Sequence, residues 1–251
     1  MKVSIITATY NSSTTILDTV TSLEEQDYPN IEYIIVDGNS DDNTIELINK
    51  NCSKVSVVIS EPDDGIYNAL NKGIAVATGD VIGFLHSDDV LAYSSAITDV
   101  VNTFNRSGSQ SVYADLEYVK KNDPSAVVRK WKSGEFSKNK LRFGWMPPHP
   151  TFYVKRECYQ YYGSFDEEYK ISADYDSIVR LLWQEGITVS YLRKVIIKMK
   201  VGGMSNRNIN NIISKSKEDM AIMRDNGMPT FTAILYKNLS KIPQFLRLSN
   251  E

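Results

Sequence analysis

Gly79-Asp80-Val81-Ile82-Gly83-Phe84-Leu85-His86-Ser87-Asp88-Asp89 runs from a turn, through an apolar segment, into two adjacent carboxylates. Ile82, Phe84 and Leu85 make the segment too apolar for an exposed strand, so it reads as a strand buried on both faces of a parallel sheet. His86, Ser87, Asp88 and Asp89 fall where that strand ends, before a second apolar stretch begins at Val90. In open α/β sheets ligands sit outside the carboxyl ends of strands near a break in strand order. An edge of this kind can bring a divalent cation and a diphosphate together. The same residues also read as a cap for a helix expected over residues 90–104.

Upstream, the chain repeats one unit. Residues 3–8 are apolar and strand-like, Thr9-Tyr10-Asn11-Ser12-Ser13 forms a polar loop, and Ile16, Val20 and Leu23 mark one face of a helix. Tyr28-Pro29-Asn30 breaks the chain. A second strand is expected over 31–36, a turn at Asp37-Gly38-Asn39-Ser40-Asp41-Asp42, and a helix through Leu47 and Ile48. A third strand follows at 55–59, then a helix over 65–77 with Ile66, Leu70 and Ile74 on its buried stripe. Four strands joined by helices predict an α/β fold whose parallel sheet is covered on both faces through right-handed crossovers.

Downstream the pattern changes. Residues 111–119 and 126–131 are strand-like and predict antiparallel additions, and Phe143-Gly144-Trp145-Met146-Pro147-Pro148-His149-Pro150 is an aromatic loop. A helix is expected over 174–184 with Ile178, Leu181 and Leu182 inward, a strand over 188–201, and helices to the end with a break at Asn226-Gly227-Met228-Pro229. This divides the chain into a main domain over 1–205, with halves at 1–89 and 90–205, and a helical extension over 206–251.

Composition narrows the function classes. The 251 residues are 42% hydrophobic, enough for a sizeable core. Twenty-eight Lys and Arg against 31 Asp and Glu, with no basic block, give no reason to propose a nucleic-acid partner. Cys52 and Cys158 lie far apart and outside any metal-binding spacing, which suits a reducing compartment. There is no signal-peptide pattern at the start and no run of 18 apolar residues, so a cytoplasmic protein is expected.

Four blocks in order resemble family 2 of the nucleotide-sugar glycosyltransferases, which have the GT-A fold. They are Ile5-Ile6-Thr7-Ala8-Thr9-Tyr10-Asn11, the stretch from Tyr33 to Asp42, the stretch from Ser60 to Gly73, and Phe84-Leu85-His86-Ser87-Asp88-Asp89. The resemblance covers roughly residues 2–205 and is nearest to bacterial enzymes that assemble surface polysaccharides and glycolipids. It implies a Rossmann-like sheet, a nucleotide diphosphate sugar as donor, probed best by UDP-sugars, and Mn²⁺ or Mg²⁺ as cofactor.

The resemblance also implies roles. Thr7, Thr9, Tyr10, Asp37, Asp64, Tyr67, Asn71, Lys72 and Asp88 would surround the donor, with Asp37 accepting the imide N–H of uracil and Asp88 meeting ribose; His149, between prolines in a loop expected to face the cleft, can join them at the phosphates, meet the acceptor, or be only a surface hydrogen-bonding group. Physical chemistry agrees in part. A hydroxyl and an aromatic ring at Thr9 and Tyr10 can hold a flat base, although Tyr10 can equally cover a helix, and Asp37 can equally make an Asx turn before Gly38. Lys72 suits a phosphate as a mobile point charge, or is simply solvated. Asp89 would hold the metal, which takes oxygen ligands. The family motif is written Asp-x-Asp, and here Ser87-Asp88-Asp89 leaves one protein carboxylate for the cation, the diphosphate supplying the rest.

An acceptor hydroxyl needs a base. Asp174, in Ile171-Ser172-Ala173-Asp174-Tyr175-Asp176, matches the family's catalytic aspartate, with Ala173 where Glu is usual; Asp176 is its rival two positions on. Trp145 and Tyr153 can wall the acceptor sugar or equally belong to the core, and His86 can bond a buried carbonyl. The Gln-x-x-Arg-Trp signature of processive synthases is absent, so transfer of a single sugar is expected; the resemblance implies inversion, in keeping with one assigned base and no assigned carboxylate nucleophile. Gly202-Gly203-Met204-Ser205 reads as a flap over the donor. Residues 231–248 carry Lys237, Lys241 and Arg247 with no acid, which suits peripheral contact with the inner face of a membrane and a lipid-linked acceptor, or a homodimer contact. Two other functions fit parts of the pattern: a non-catalytic nucleotide-sugar-binding protein, and a nucleotidyltransferase. The latter normally has a Gly-rich basic loop, which residues 7–13 lack.

Overall fold

The computed structural model describes residues 1–121, 123–201 and 209–228. Its first half is the repeated unit expected from the sequence: β1 (Val3–Thr9), α1 (Ile16–Glu24), β2 (Ile31–Asp37), α2 (Thr44–Asn51), β3 (Val55–Ser60), α3 (Ile66–Val76) and β4 (Val81–Phe84). β1 lies between β2 and β4, and β3 lies outside β2, all four parallel. Their carboxyl ends therefore share one edge. The register pairs Thr9 with Asp37 and Asp37 with Ser60, setting three polar side-chain positions in a row across that edge.

The second half comprises β5 (Asp89–Leu91), α4 (Ala96–Ser107), β6 (Ser111–Lys120), β7 (Asp123–Trp131), the single turn α5 (Lys138–Leu141), a 3₁₀ turn at His149–Thr151, β8 (Tyr153–Lys155), α6 (Arg156–Tyr162), α7 (Ala173–Val179) continued by a π turn at Arg180–Gln184, β9 (Val189–Lys200) and α8 (Ile209–Asp225). Among the described residues nine strands form one sheet in the order β3-β2-β1-β4-β8-β6-β9-β5, with β7 paired to β6. β8 is antiparallel to both β4 and β6, and through it the parallel half joins the mixed half.

Successive residues of β1 and β2 point to opposite faces, and both faces are covered. Ile6, Ile34 and Val36 join a core with Leu70, Phe84 and the α7 residues Ile178 and Val179, whereas Ile5, Tyr33 and Ile35 join one with Val20, Leu23 and Val100. Each fully buried aliphatic side chain contributes roughly 1.5–3 kcal/mol relative to exposure. β3, the edge strand, alternates half-buried and exposed positions. Ile222, Met223 and Met228 at the end of α8 belong to the first core, so this part of the C-terminal extension is built into the main body.

Three expectations are corrected. No helix starts at Val90: Asp89–Leu91 add to β9 as a short antiparallel strand, and the helix begins at Ala96 after Ser95. The cap reading of Ser87, Asp88 and Asp89 falls with it. On α3 the buried face is Ala69, Leu70 and Gly73, with Ile66 exposed, because a Cβ at Gly73 would stand 2.5 Å from a methyl of Ile6. The small residue lets the helix lie closer to β1 than a stripe of large ones would. Tyr153 is fully buried in β8, its ring over Gly83, where a Cβ would come within 2.3 Å; it walls no sugar site.

Cys52 and Cys158 are buried free thiols, both pushed up to about 11 chiefly by burial, and so remain protonated at neutral pH. Among the described residues no helix is long and apolar enough to cross a membrane. The expected flap at 202–205 and the amphipathic stretch at 231–248 lie outside the described residues.

Candidate active site

The shared edge of β1, β2 and β3 carries the first group of residues. Asp37 is fully buried; one of its oxygens accepts the backbone N–H of Ser40 (3.0 Å) and the Ser60 hydroxyl (2.8 Å), and the other accepts the Ser40 hydroxyl. The carboxylate is thereby oriented by its neighbours, and the Gly38 N–H donates to the Thr9 carbonyl (2.9 Å). Thr9 is buried, and its hydroxyl has no partner among the described residues. Tyr10 is exposed, with its ring edge against Gly38, where a Cβ would also meet the Asp63 carboxylate at 2.7 Å. An open ring, an orphan hydroxyl and a held carboxylate at one strand edge can bind a planar heterocycle. Thr7 is deeper: its hydroxyl donates to the Leu85 carbonyl (2.6 Å) and lies 3.1 Å from the Tyr33 hydroxyl, holding the end of β4 to β1.

Beyond β4 the chain turns, with the Asp89 N–H donating to the His86 carbonyl (3.0 Å), and enters β5. Asp89 is fully buried, and neither carboxylate oxygen has a hydrogen-bond partner among the described residues. Burial first, and then the charge of Asp88, push its carboxyl well above the usual range, with Lys200 offsetting part. The Lys200 ammonium itself is buried and paired with Asp18 of α1. A buried carboxylate without donors fits a cation as its missing partner, and its hard oxygens fit Mg²⁺ or Mn²⁺.

A histidine pair stands beside it. His149 stacks on Phe84 (centroids 5.1 Å apart), contacts His86 (5.9 Å) and meets the edge of Phe165 (5.5 Å). Its Nε2 has no hydrogen-bond partner among the described residues. Burial holds His149 down at about 4 against the opposing pull of Asp174; it also lowers His86, against Asp88 and Asp174. The charge of Asp174 reaches both rings and that of Asp88 reaches His86, so the pair lies between the β4 edge and α7.

Asp174 lies in the first turn of α7. The Tyr67 hydroxyl reaches it from α3, 3.2 Å from Oδ1, while standing 2.7 Å from the Ile171 carbonyl oxygen. Asp176 points elsewhere: it is paired with Arg180 at 3.2 Å, and burial raises its carboxyl despite that cation. The Arg180 guanidinium also donates to the carbonyls of Tyr162, Gly163 and Ser164, tying the chain before Asp174 to α7.

Other expected donor residues hold loops. Asn71 donates to the Phe165 carbonyl (2.9 Å) and Glu167 (2.7 Å) and accepts from the Phe165 N–H (3.0 Å). Lys72 donates to the Pro62 carbonyl (2.8 Å) and pairs with Glu61 at 2.8 Å. Asp64 is exposed at the head of α3. Trp145 is half-buried against Tyr113 and Phe136, its indole N–H on the Ser133 carbonyl (3.0 Å). Sequence reasoning missed Glu167, which ties the loop before Asp174 to Asn68 and Asn71 of α3, and Glu218, which binds that loop from α8. It also missed Ser40 and Ser60, which orient Asp37; their nearness to strand ends was the one available signal.

A PGL/p-HBAD biosynthesis glycosyltransferase of Mycobacterium bovis is 26% identical over 208 residues, 81% of this chain and 78% of its own length. An uncharacterized glycosyltransferase of Mycobacterium tuberculosis is 29% identical over 187 residues, 71% of this chain and 68% of its own. Among solved structures, S. aureus TarS 1-349 in complex with UDP-GlcNAc superposes with a TM-score of 0.71 at 20% identity, covering 90% of this chain and 65% of that one. The mannosyltransferase PcManGT from Pyrobaculum calidifontis, in complex with GDP-Man and Mn²⁺, gives 0.67 at 18% identity, covering 99% and 73%. The description Glycosyl transferase family 2 matches residues 4–162, well over half of the sequence, and the chain belongs to that family and is a glycosyltransferase.

Proposed function

We propose that the protein transfers one sugar, with inversion, from a UDP-sugar to a hydroxyl of a saccharide or lipid-linked saccharide in surface polysaccharide biosynthesis. Residues 1–89 would bind the donor and residues 90–205 the acceptor. The observation that carries this reading is the meeting of Asp174, borne on α7 and held by Tyr67, with the Asp88 edge around the His86–His149 pair. The acceptor hydroxyl gives its proton to Asp174 as its oxygen attacks the anomeric carbon; the bond from that carbon to the diphosphate oxygen breaks, and the nucleotide leaves with the electron pair. Asp89 would hold Mn²⁺ or Mg²⁺, which when bound supplies charge neutralisation to the departing diphosphate. Thr9, Tyr10 and Asp37 bind the base, and Asp88 the ribose. Family membership sets aside the nucleotidyltransferase and the purely binding protein.

The complex of TarS with UDP-GlcNAc supports a uridine donor, and that of PcManGT with GDP-Man is the competing example. A thermal-shift panel of UDP-, GDP- and dTDP-sugars with Mn²⁺ tests the base, since a ligand binding only the folded chain raises its apparent stability. UDP-sugars are expected to give the largest shifts. Larger shifts with GDP- or dTDP-sugars overturn the uridine reading. Proton NMR of the product tests the stereochemistry, and a retained anomeric configuration overturns inversion.

A further inference from the structure

The turn that leads into the helix carrying Asp174 is held from far away. Ser172 precedes α7, yet its hydroxyl makes no capping hydrogen bond and has no partner among the described residues. The N–H groups at this end come instead to Glu218 of α8: Lys170 N–H to one oxygen at 3.2 Å, Ile171 N–H and Ser172 N–H to the other at 3.0 and 2.8 Å. The last of these spans 46 residues of sequence. Only the Ser172 N–H belongs to the helix start, where N–H groups lack intrahelical partners; the other two belong to the preceding turn, and the carboxylate satisfies all three with charge-assisted bonds.

Ile171 is held on both sides. Its N–H goes to Glu218, and its carbonyl accepts from Tyr67, the phenol that also reaches Asp174. The direction in which Asp174 leaves the backbone, three residues on, is therefore set by two residues from two different helices. We propose that Glu218 is a positioning residue for Asp174, making the C-terminal helix part of the acceptor chemistry. The inference rests on reading Asp174 as the base.

A double-mutant cycle on the full chain separates positioning from plain stabilisation. Initial rates of UDP release are measured with Mn²⁺ and the UDP-sugar of largest thermal shift, for wild type, Glu218→Gln, Glu218→Ala, Asp174→Asn and Asp174→Asn/Glu218→Ala. Donor affinity and binding stoichiometry by calorimetry give the folded fraction. Glu218→Ala is expected to lower the rate per folded molecule about tenfold or more, since small misplacements of a reacting group carry costs of that order. Glu218→Gln, which keeps size and one acceptor, is expected to fall between and serves alone if the alanine variant does not fold. Donor affinity stays within about twofold, and in the Asp174→Asn background removal of Glu218 changes the rate less than about twofold. Hydrogen exchange at the amides of residues 170–172 quickens in both Glu218 variants. Losses that multiply across the cycle, donor affinity falling in parallel, or unchanged exchange at those amides overturn the proposal. An unchanged rate in Asp174→Asn alone overturns the base assignment instead, a result that the exchange data do not share.

Discussion

The Tyr67 hydroxyl stands 3.2 Å from Asp174 Oδ1 and 2.7 Å from the Ile171 carbonyl oxygen, so one phenolic proton faces two acceptors and joins α3 to α7. Burial raises the phenol far above its ordinary value, and the charges of Asp174 and Glu218 add to that, which keeps it a donor throughout the working pH range. The relationship places α3, from the parallel half of the sheet, in contact with Asp174, the proposed base.

Tyr67→Phe removes that proton while keeping the ring against Phe165, 5.5 Å away. A single hydrogen bond of this kind is worth about 0.5–1.5 kcal/mol, so turnover is expected to fall about three- to tenfold with donor affinity unchanged. Asp174→Asn, which removes the base itself, is expected to cost about 10²-fold or more. Steady-state kinetics with calorimetric donor titration measures both. A loss in Tyr67→Phe as large as that in Asp174→Asn would mean that the phenol, not the carboxylate, dominates.

Asp89 predicts opposite effects on stability and function. Neither oxygen of its buried carboxylate has a hydrogen-bond partner among the described residues, so the folded protein without a bound cation carries a desolvation cost that Lys200 offsets only in part. Asp89→Asn replaces that group with a neutral one of the same shape. Without nucleotide and metal the variant is expected to melt higher by a few degrees, since about 1 kcal/mol moves the midpoint by about 2–4 °C in a chain of this size. With Mn²⁺ and donor it is expected to show little further rise, where wild type shows a large one. Differential scanning fluorimetry gives both numbers, and a lower melting point for the metal-free variant would remove Asp89 as the cation ligand.

Gly83→Ala is a test of the joint between the two halves. An added Cβ would stand 2.3 Å from the Tyr153 ring, in the contact between β4 and β8, where neither ring nor backbone has room to move. Overpacking of this kind costs about 1–3 kcal/mol. Urea denaturation should show that loss in Gly83→Ala, and Gly83→Ala/Tyr153→Leu should recover part of it; equal losses in both variants would place the strain elsewhere.

The parallel half was legible because β1, β2 and β4 are short apolar runs that end in polar residues, and parallel strands bring those ends to one edge. The placing of Thr9 and Asp37 side by side at that edge follows from that logic. β5 was not, because a three-residue strand exists only through β9, which lies about a hundred residues away in sequence. The buried face of α3 was misread because Gly73 contributes by lacking a side chain, which periodicity counts as nothing. Glu218 sits in the polar run Lys217-Glu218-Asp219, where nothing local distinguishes it from solvated charge. Its role comes from the packing of α8 on α7.

The histidine pair makes stability depend on pH with a defined sign. His149 is held at about 4 by burial, whereas an exposed histidine titrates near 6.5. Above pH 6.5 the ring is neutral in both the folded and the unfolded chain, and the difference contributes nothing to the pH slope. Between 6.5 and about 4 the unfolded chain takes up a proton that the folded one does not, so stability falls as pH falls, by up to about 3 kcal/mol at the lower end for this residue. His86, lowered for the same reason, adds to the slope in the same direction. Urea denaturation at pH 7, 6 and 5 should therefore show wild type losing stability on acidification faster than His149→Asn. The asparagine variant starts lower, because the stack on Phe84 is lost, but that offset is constant across the series. Parallel stability curves for the two proteins would mean that His149 takes up its proton in the folded state as readily as in the unfolded one, and that the ring is open to water instead of enclosed between Phe84 and Phe165.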